Sequence, residues 1–400
     1  MTAADDKGSL HKRLRRQITG REHDFFAVAH PGFESAAAGE IGSQCGGPSR
    51  IVPGGVEFRG KLDLCYLVNL HCRTVTRVLM RVAEFRARRF AKLRDLAGDI
   101  PWELYLNPGA PVAFSATAHG SRLFHTGRIV TEFRRAIASR LGDGTFFAEG
   151  SECANEIHTV FIRFDDDLCT VSIDSSGEPL YRRGYKLHVE DAPLRETLAA
   201  SLLIEADIGN CDLLVDPMAG SGTFSLEAGH MALGIAPGIS RSFAFEKWPA
   251  ASAAALRHLA KRLESSVIPP EKSPLKIICA DADERAVATA QRNAERAGLG
   301  ALVNPVQADF LTADFFAPPG AKTLVALNPP YGKRLGNAGE ALELYKKIGE
   351  RLRNAYPRAG VVIIAPGKRF EKALGPGFDR KIGFSHGGIP VSALIRLPRP

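Results

Sequence analysis

The residues best placed to do chemistry sit after two short apolar runs. Leu213-Leu214-Val215 is followed by Asp216-Pro217-Met218-Ala219-Gly220-Ser221-Gly222-Thr223 and then by FSLEAGHMAL, a helical stretch. A strand turning through glycines into a helix lets backbone approach a ligand closely, outside the carboxyl ends of the strands. A dinucleotide fold asks for a third glycine at the position held by Ser225, and an acid heading the turn repels a pyrophosphate. A cation with a ribose and an amino-acid tail suits the turn better, which points to S-adenosyl-L-methionine. Two later acids extend the pattern. Asp281, followed by Ala282, closes LKIICAD, where a strand-end carboxylate can accept from ribose hydroxyls. Asp309 can accept from an adenine amine, with Phe310 flanking the ring.

The second run, TLVAL, ends in Asn328-Pro329-Pro330-Tyr331-Gly332. Consecutive prolines bar regular helix and fix the backbone, so the Asn328 side-chain oxygen and the Pro329 carbonyl can converge as two acceptors. An exocyclic amine on a nucleobase is planar because its lone pair is delocalised into the ring. Two acceptors drawing on its two hydrogens favour a pyramidal nitrogen and free that lone pair for a methyl group. Asn328 is then a polariser, since an amide is no general base at neutral pH. Tyr331 offers a π-face to an extruded base, and Lys333 and Arg334, just beyond, can hold the flanking phosphates.

These residues need a scaffold with several parallel strands ending on one side. From Gly184 onward LLVDP, LKIICAD, LVNPVQAD, TLVALNPP and GVVIIAP alternate with helical stretches, a pattern for a doubly wound α/β sheet. RKIGFSH and SALIRL, joined by Gly387-Gly388, leave no room for a helix and predict an antiparallel edge hairpin. Asp281 lies farther from the glycine turn than the usual spacing, so 234–274 reads as an insertion with a helix around AAALRHLAKRLES. Upstream, FFAVA and VEFRG read as strands and residues 61–80 as helix-like. PVAFSATA, a helix over 127–141, and HTVFIRF and LCTVSID follow, the last two paired across Asp165-Asp166-Asp167.

The 400 residues include 52 Lys and Arg against 44 Asp and Glu, a net charge of +8 that favours polyanionic partners. The excess is shared, +3 over 1–190 and +5 over 191–400. Seven scattered cysteines without a C-x-x-C pair read as reduced packing residues in a cytoplasmic chain with no metal site. No apolar run is long enough to span a membrane, and the first twenty residues read as a disordered basic tail.

DPMAGSGT, ADADERAVATAQRNAERAGL and NPPYGKRL, with SSGEPLYRRGYKLHVEDAPLRETLAASLL at 175–203 and the NPG at 107–109, resemble the THUMP-domain RNA guanine-N2 methyltransferases, above all the bacterial enzymes acting on 23S ribosomal RNA. The resemblance spans about 24–400. It implies a ferredoxin-like lobe at 21–64 with parts of the following segment, a THUMP RNA-binding domain at 65–176, and an S-adenosylmethionine-dependent methyltransferase domain at 177–400 with a seven-stranded Rossmann-like class I sheet. It also implies that Asp216, Met218, Gly220, Gly222, Asp281, Asp309 and Phe310 surround the cofactor, beside Thr223 and Ala282, with Thr197 near its methionine end. Some family members carry a second methyltransferase domain, so a single modification is expected of this chain. In the THUMP segment, Arg86, Arg88 and Arg89 belong to a dense basic run suited to phosphates.

The expected activity is methylation of the N2 amine of a guanosine in 23S rRNA, with tRNA as the second substrate and no obligate protein partner. An adenine-N6 DNA methyltransferase uses similar chemistry at NPPY but would not carry a region like 24–176. A vestigial domain in an RNA-binding assembly factor is the remaining alternative, and the intact Asp216, turn glycines and NPPY oppose it.

Overall fold

The structure is a computed structural model that describes residues 3–47, 49–142, 146–148, 156–186, 194–315, 320–330 and 338–399. The chain forms two compact units, one of Met1–Ala29, Ala37–Leu180 and Ser240–Lys261, the other of His30–Ala36, Tyr181–Ile239 and Arg262–Pro400.

The first unit runs α1 (Ala3–Leu14), β1 (His23–Ala29), α2 (Glu34–Cys45), which begins in the second unit, β2 (Ser49–Val52), β3 (Gly55–Gly60), α3 (Leu62–His71), β4 (Val75–Arg86), α4 (Phe90–Asp99), β5 (Val112–His119), α5 (Thr126–Leu141), β6 (His158–Asp165) and β7 (Leu168–Asp174). Its seven strands lie in the order β2-β3-β1-β4-β7-β6-β5. Only β5 and β6 run parallel. Alternation sets the buried face: Phe25, Ala27 and Ala29 of β1 point inward.

Two expectations change here. The stretch 61–80 is helical only to His71, after which β4 runs for twelve residues. Val75, Thr76, Val78 and Val82 are β-branched, and their preference for a pleated surface outweighs the helical spacing upstream. Because β4 pairs with β1 on one side and β7 on the other, one sheet is continuous across both expected N-terminal domains. The expected disordered tail is instead α1 followed by a π-helical turn at Arg15–Thr19. Ile18 anchors it at 1% exposure, its carbonyl meets His23 Nε2 at 2.8 Å, and Arg13 pairs with Glu103 at 2.7 Å.

The second unit holds α6 (Glu196–Glu205), β8 (Leu213–Asp216) and α7 (Thr223–Leu233). After α8 (Ala253–Glu264), which begins in the first unit, come β9 (Lys276–Asp281), α9 (Glu284–Arg296), β10 (Val306–Gln307), β11 (Thr323–Leu327), α10 (Ala338–Asn354), β12 (Gly360–Ala365), α11 (Lys368–Leu374), β13 (Arg380–His386) and β14 (Ile389–Arg396). The order is β10-β9-β8-β11-β12-β14-β13. The first five are parallel and β14 is reversed. Every residue of β8, β11 and β12 is buried, as expected for parallel strands covered on both faces. Gly387 and Gly388 take φ of +58° and +78° and close the β13–β14 hairpin.

The insertion also departs from expectation. Its helix is α8, but residues 240–261 group with the first unit, so the second unit is not the unbroken span 177–400. Phe245 stacks on Tyr66 at 4.3 Å, and its N–H donates to the Ser175 carbonyl at 3.0 Å. Aromatic burial there outweighs continuity of sequence.

Candidate active site

Chain reversal between β8 and β11, neighbours in the second sheet but separated in sequence by β9 and β10, creates the switch point where α/β sheets bind ligands. Asp216 ends β8 and is 1% exposed. Its Oδ2 accepts from the N–H and hydroxyl of Ser225, at 3.1 and 2.8 Å. Ser225 thus occupies the place of a dinucleotide fold's third glycine and braces the acid at the head of the turn. Asp216 Oδ1 is buried with no hydrogen-bond partner among the described residues. Burial pushes this carboxyl up to about 7, Ser225 opposing and nearby Asp281 adding to the rise.

The turn is tied to its neighbours. The Gly220 N–H donates to Asp281 Oδ2 at 2.8 Å, and Asn293 Nδ2 donates to the Ser221 carbonyl at 3.0 Å. Gly220 and Gly222 have φ of +54° and +80°, where other residues are strained. A Cβ at Gly220 would meet nothing within 4 Å, whereas one at Gly222 would come 3.3 Å from the Ala290 Cβ. The first glycine therefore leaves open space above the turn, and the second lets α9 pack beneath it.

Asp281 also accepts from the Asp283 N–H at 3.0 Å. Ala282 is exposed beside it. Asp309, exposed just past β10, accepts from the Leu311 N–H at 2.9 Å. Met218 and Phe310 belong to one apolar cluster. Phe310 is only 1% exposed, its ring stacked on Tyr356 at 5.9 Å, so in this structure it packs the core.

Asn328 and Pro329 follow β11. The Asn328 side-chain oxygen is buried and has no partner among the described residues. Two orphaned acceptors thus follow adjacent strands of one sheet. Leaving a buried acceptor unpaired costs roughly 1–3 kcal/mol, a cost that a ligand carrying N–H or O–H donors removes. The residues present therefore fit a ligand rich in donors. Tyr331, Lys333 and Arg334 lie outside the described residues.

Sequence reading missed a buried polar group at the start of α7. Lys186 Nζ donates to Thr223 Oγ1 at 2.6 Å and to the Leu194 carbonyl at 3.1 Å, and lies 3.3 Å from Glu196. Behind it, Arg183 pairs with Glu227 at 3.3 Å, and the Tyr185 hydroxyl donates to the same carboxylate. A cavity of about 580 Å³ opens here, lined by Tyr181, Arg183, Lys186, Arg195, Glu196 and His386 among others. The cations of YRRGYK beside an aromatic pair were the available signal. Thr197 is fully buried in α6 and its hydroxyl lies 3.3 Å from His30 Nε2.

Arg86, Arg88 and Arg89 are exposed and belong to the first unit. Arg86 donates to the Asp166 carbonyl and Arg88 to Asp167 Oδ2, at 2.9 and 2.7 Å.

The strand order and its reversed β14 define a class I methyltransferase sheet, with the glycine turn and Asn328 at its switch point. Residues 183–391 match the RMKL-like methyltransferase domain, and 24–79 the RlmL ferredoxin-like domain, which runs on into β4. The chain belongs to the RMKL-like methyltransferase family, whose methyl donor is S-adenosylmethionine. It is 29% identical to a putative RNA methyltransferase of Synechocystis, over 92% of this chain and 95% of that one. It is 31% identical to the ribosomal RNA large subunit methyltransferase K/L of Syntrophotalea carbinolica, over 88% of this chain and 50% of that protein. The chain spans about half the length of the K/L proteins it matches. A putative methyltransferase solved in complex with SAH superposes with a TM-score of 0.83 at 26% identity, covering 95% of this chain and 99% of that one.

Proposed function

We propose that the protein methylates the exocyclic N2 amine of a guanosine in 23S ribosomal RNA, using S-adenosylmethionine. The observation that carries the reading is the buried, unpartnered side-chain oxygen of Asn328 at the end of β11. It suits an amine with two hydrogens, and the backbone that Pro329 and Pro330 stiffen keeps it oriented. Asp216, Asp281 and Asp309 would hold the donor nucleoside around the open Gly220. Lys186, hydrogen-bonded to Thr223 and paired with Glu196, braces the first turn of α7, whose helix N–H groups favour a carboxylate. The donor supplies a methyl group on a sulfonium. Asn328 and the Pro329 carbonyl would draw on the amine hydrogens as the nitrogen becomes pyramidal. Loss of the methyl leaves the sulfonium as a neutral thioether, and the proton that the nitrogen sheds on gaining the methyl passes to water.

Relatives bearing the name ribosomal RNA large subunit methyltransferase K/L support RNA as the substrate class. The resemblance of the 65–176 segment to THUMP domains supports it as well, and we propose that Arg86, Arg88, Arg89, Lys333 and Arg334 contact phosphates. The test is incubation with labelled S-adenosylmethionine and separated 23S rRNA and tRNA, followed by nucleoside mass spectrometry. N2-methylguanosine in 23S rRNA is the expected product. Label on tRNA alone, on adenine N6, or on neither RNA despite cofactor binding by calorimetry would each overturn the assignment.

A further inference from the structure

At the start of α5 the first unit gathers rings and cations on its surface. Phe124 is 62% exposed, and its ring lies 4.1 Å from that of His125 at a tilt of 38°. Arg128, on the first turn of the helix, stands over the Phe90 ring at 4.1 Å. Arg89 precedes Phe90, and Arg89, Arg122 and Arg128 are all exposed. The acids nearby are engaged: Asp167 takes the Arg88 guanidinium and the Arg122 backbone N–H, each at 2.7 Å, and Glu132, whose charge also acts on Arg128, pairs with Arg94 and Arg135. None of the ion pairs among the described residues uses Arg89, Arg122 or Arg128. Asp167, paired with Arg88, therefore ties Ser121 and Arg122 beside β7. Arg122 and Arg128 flank Phe124 in sequence, and Arg89 precedes the Phe90 ring that Arg128 covers, all three without a carboxylate ion pair among the described residues.

We infer that Phe124 and His125 form a stacking platform for an unpaired RNA base, with Arg89, Arg122 and Arg128 receiving the phosphates on either side. A protein interface would be centred on a contiguous apolar patch. Here the neighbouring Leu123 and Ile129 are buried, so the exposed apolar surface is essentially one ring rimmed by charge. That combination matches single-stranded nucleic acid, where an aromatic face binds any base and cations track the backbone. The inference rests on RNA being the substrate and adds the kind of RNA element the first unit grips, a loop or single strand.

The test uses the full chain, a short unstructured RNA with a central 2-aminopurine, and a blunt RNA duplex. Phe124→Ala should weaken the single strand about tenfold and abolish quenching of the 2-aminopurine, leaving duplex affinity unchanged. Phe124→Trp should keep both binding and quenching. Arg122→Gln with Arg128→Gln should flatten the salt dependence by roughly two phosphate contacts. The platform is overturned by single-strand affinity and quenching that survive Phe124→Ala, by equal loss of both RNAs, or by a change of oligomeric state as the variant's main effect. Failure of the wild-type chain to bind either RNA while it still takes up S-adenosylmethionine would sink the RNA reading too, and is distinct from wild-type binding that Phe124→Ala leaves intact.

Discussion

In the first unit, arginines around the sheet are answered by carboxylates of the same unit. Arg77 pairs with Asp174, Arg88 with Asp167 at 2.7 Å and Arg94 with Glu132 at 2.6 Å. In the second unit, the acceptors of Asp216 and Asn328 at the ends of β8 and β11 are buried and unanswered. The first arrangement fixes a surface and leaves a few cations over. The second keeps unsatisfied groups in a low-dielectric setting, where a donor brought to them interacts most strongly. Binding surface and reaction site thus differ in which sign of group is left without a partner, and in whether water reaches it.

The largest test of that contrast is Asn328→Ala. Turnover should fall about 10²–10³-fold, the scale for losing one group that stabilises a transition state. Because the alanine also removes an orphaned acceptor, thermal stability should hold or rise, and cofactor affinity should change little. A melting temperature that drops along with activity would make Asn328 a structural residue and break the comparison.

Asp216→Asn comes next. The unfolded acid ionises near its ordinary 3.8 and the buried one near 7. Between those values the folded protein holds a proton that the unfolded chain has released, so this group's contribution to stability falls as pH rises toward 7 and then levels off. Complete ionisation corresponds to on the order of 4 kcal/mol. Chemical denaturation without cofactor should show wild type losing stability from pH 4 to 8 relative to Asp216→Asn. Parallel pH profiles for the two would mean the carboxylate has an outlet other than the ligand.

Smaller effects sharpen the picture. Gly222→Ala should cost about 1–2 kcal/mol through its positive φ, with the Ala290 contact adding to that, and it should weaken cofactor binding in calorimetry. In the first unit, Arg89→Gln should reduce the slope of RNA affinity against salt by about one contact with no loss of stability. Arg88→Gln should reduce that slope too and, unlike Arg89→Gln, also lower stability, because it releases Asp167. Identical behaviour of the two variants would erase the distinction between paired and open arginines.

Much of the second unit was legible. Alternation of apolar runs with helices, glycines after β8, and the short Gly387-Gly388 link are local signals, and each corresponds to an element. Less legible was anything decided by contacts distant in sequence. Val75 to Val82 could continue the helical spacing of α3 until β1 and β7 offered edges to pair with. Phe310 reads equally as a ring for adenine or a core residue, and Tyr356, well over thirty positions later, decides its packing here. The role of Ser225 was hidden because a motif written for glycine treats it as a mismatch, although its two donors brace Asp216. Lys186 and Glu196 flank residues outside the described set, and only folding brings them to Thr223.

The exchange of segments between the units bears on how the chain matures. Tyr66 and Ser175 wait for Phe245, and the Tyr66 hydroxyl for the Ser252 N–H, so the N-terminal unit cannot finish packing until the ribosome has passed residue 261. Phe33, fully buried against the second unit's Leu198 and Phe384, must equally stay uncovered until the last hairpin emerges. The first core can therefore close once residues 240–261 are available, and the second only after β13 and β14, so neither unit folds as one continuous stretch of sequence.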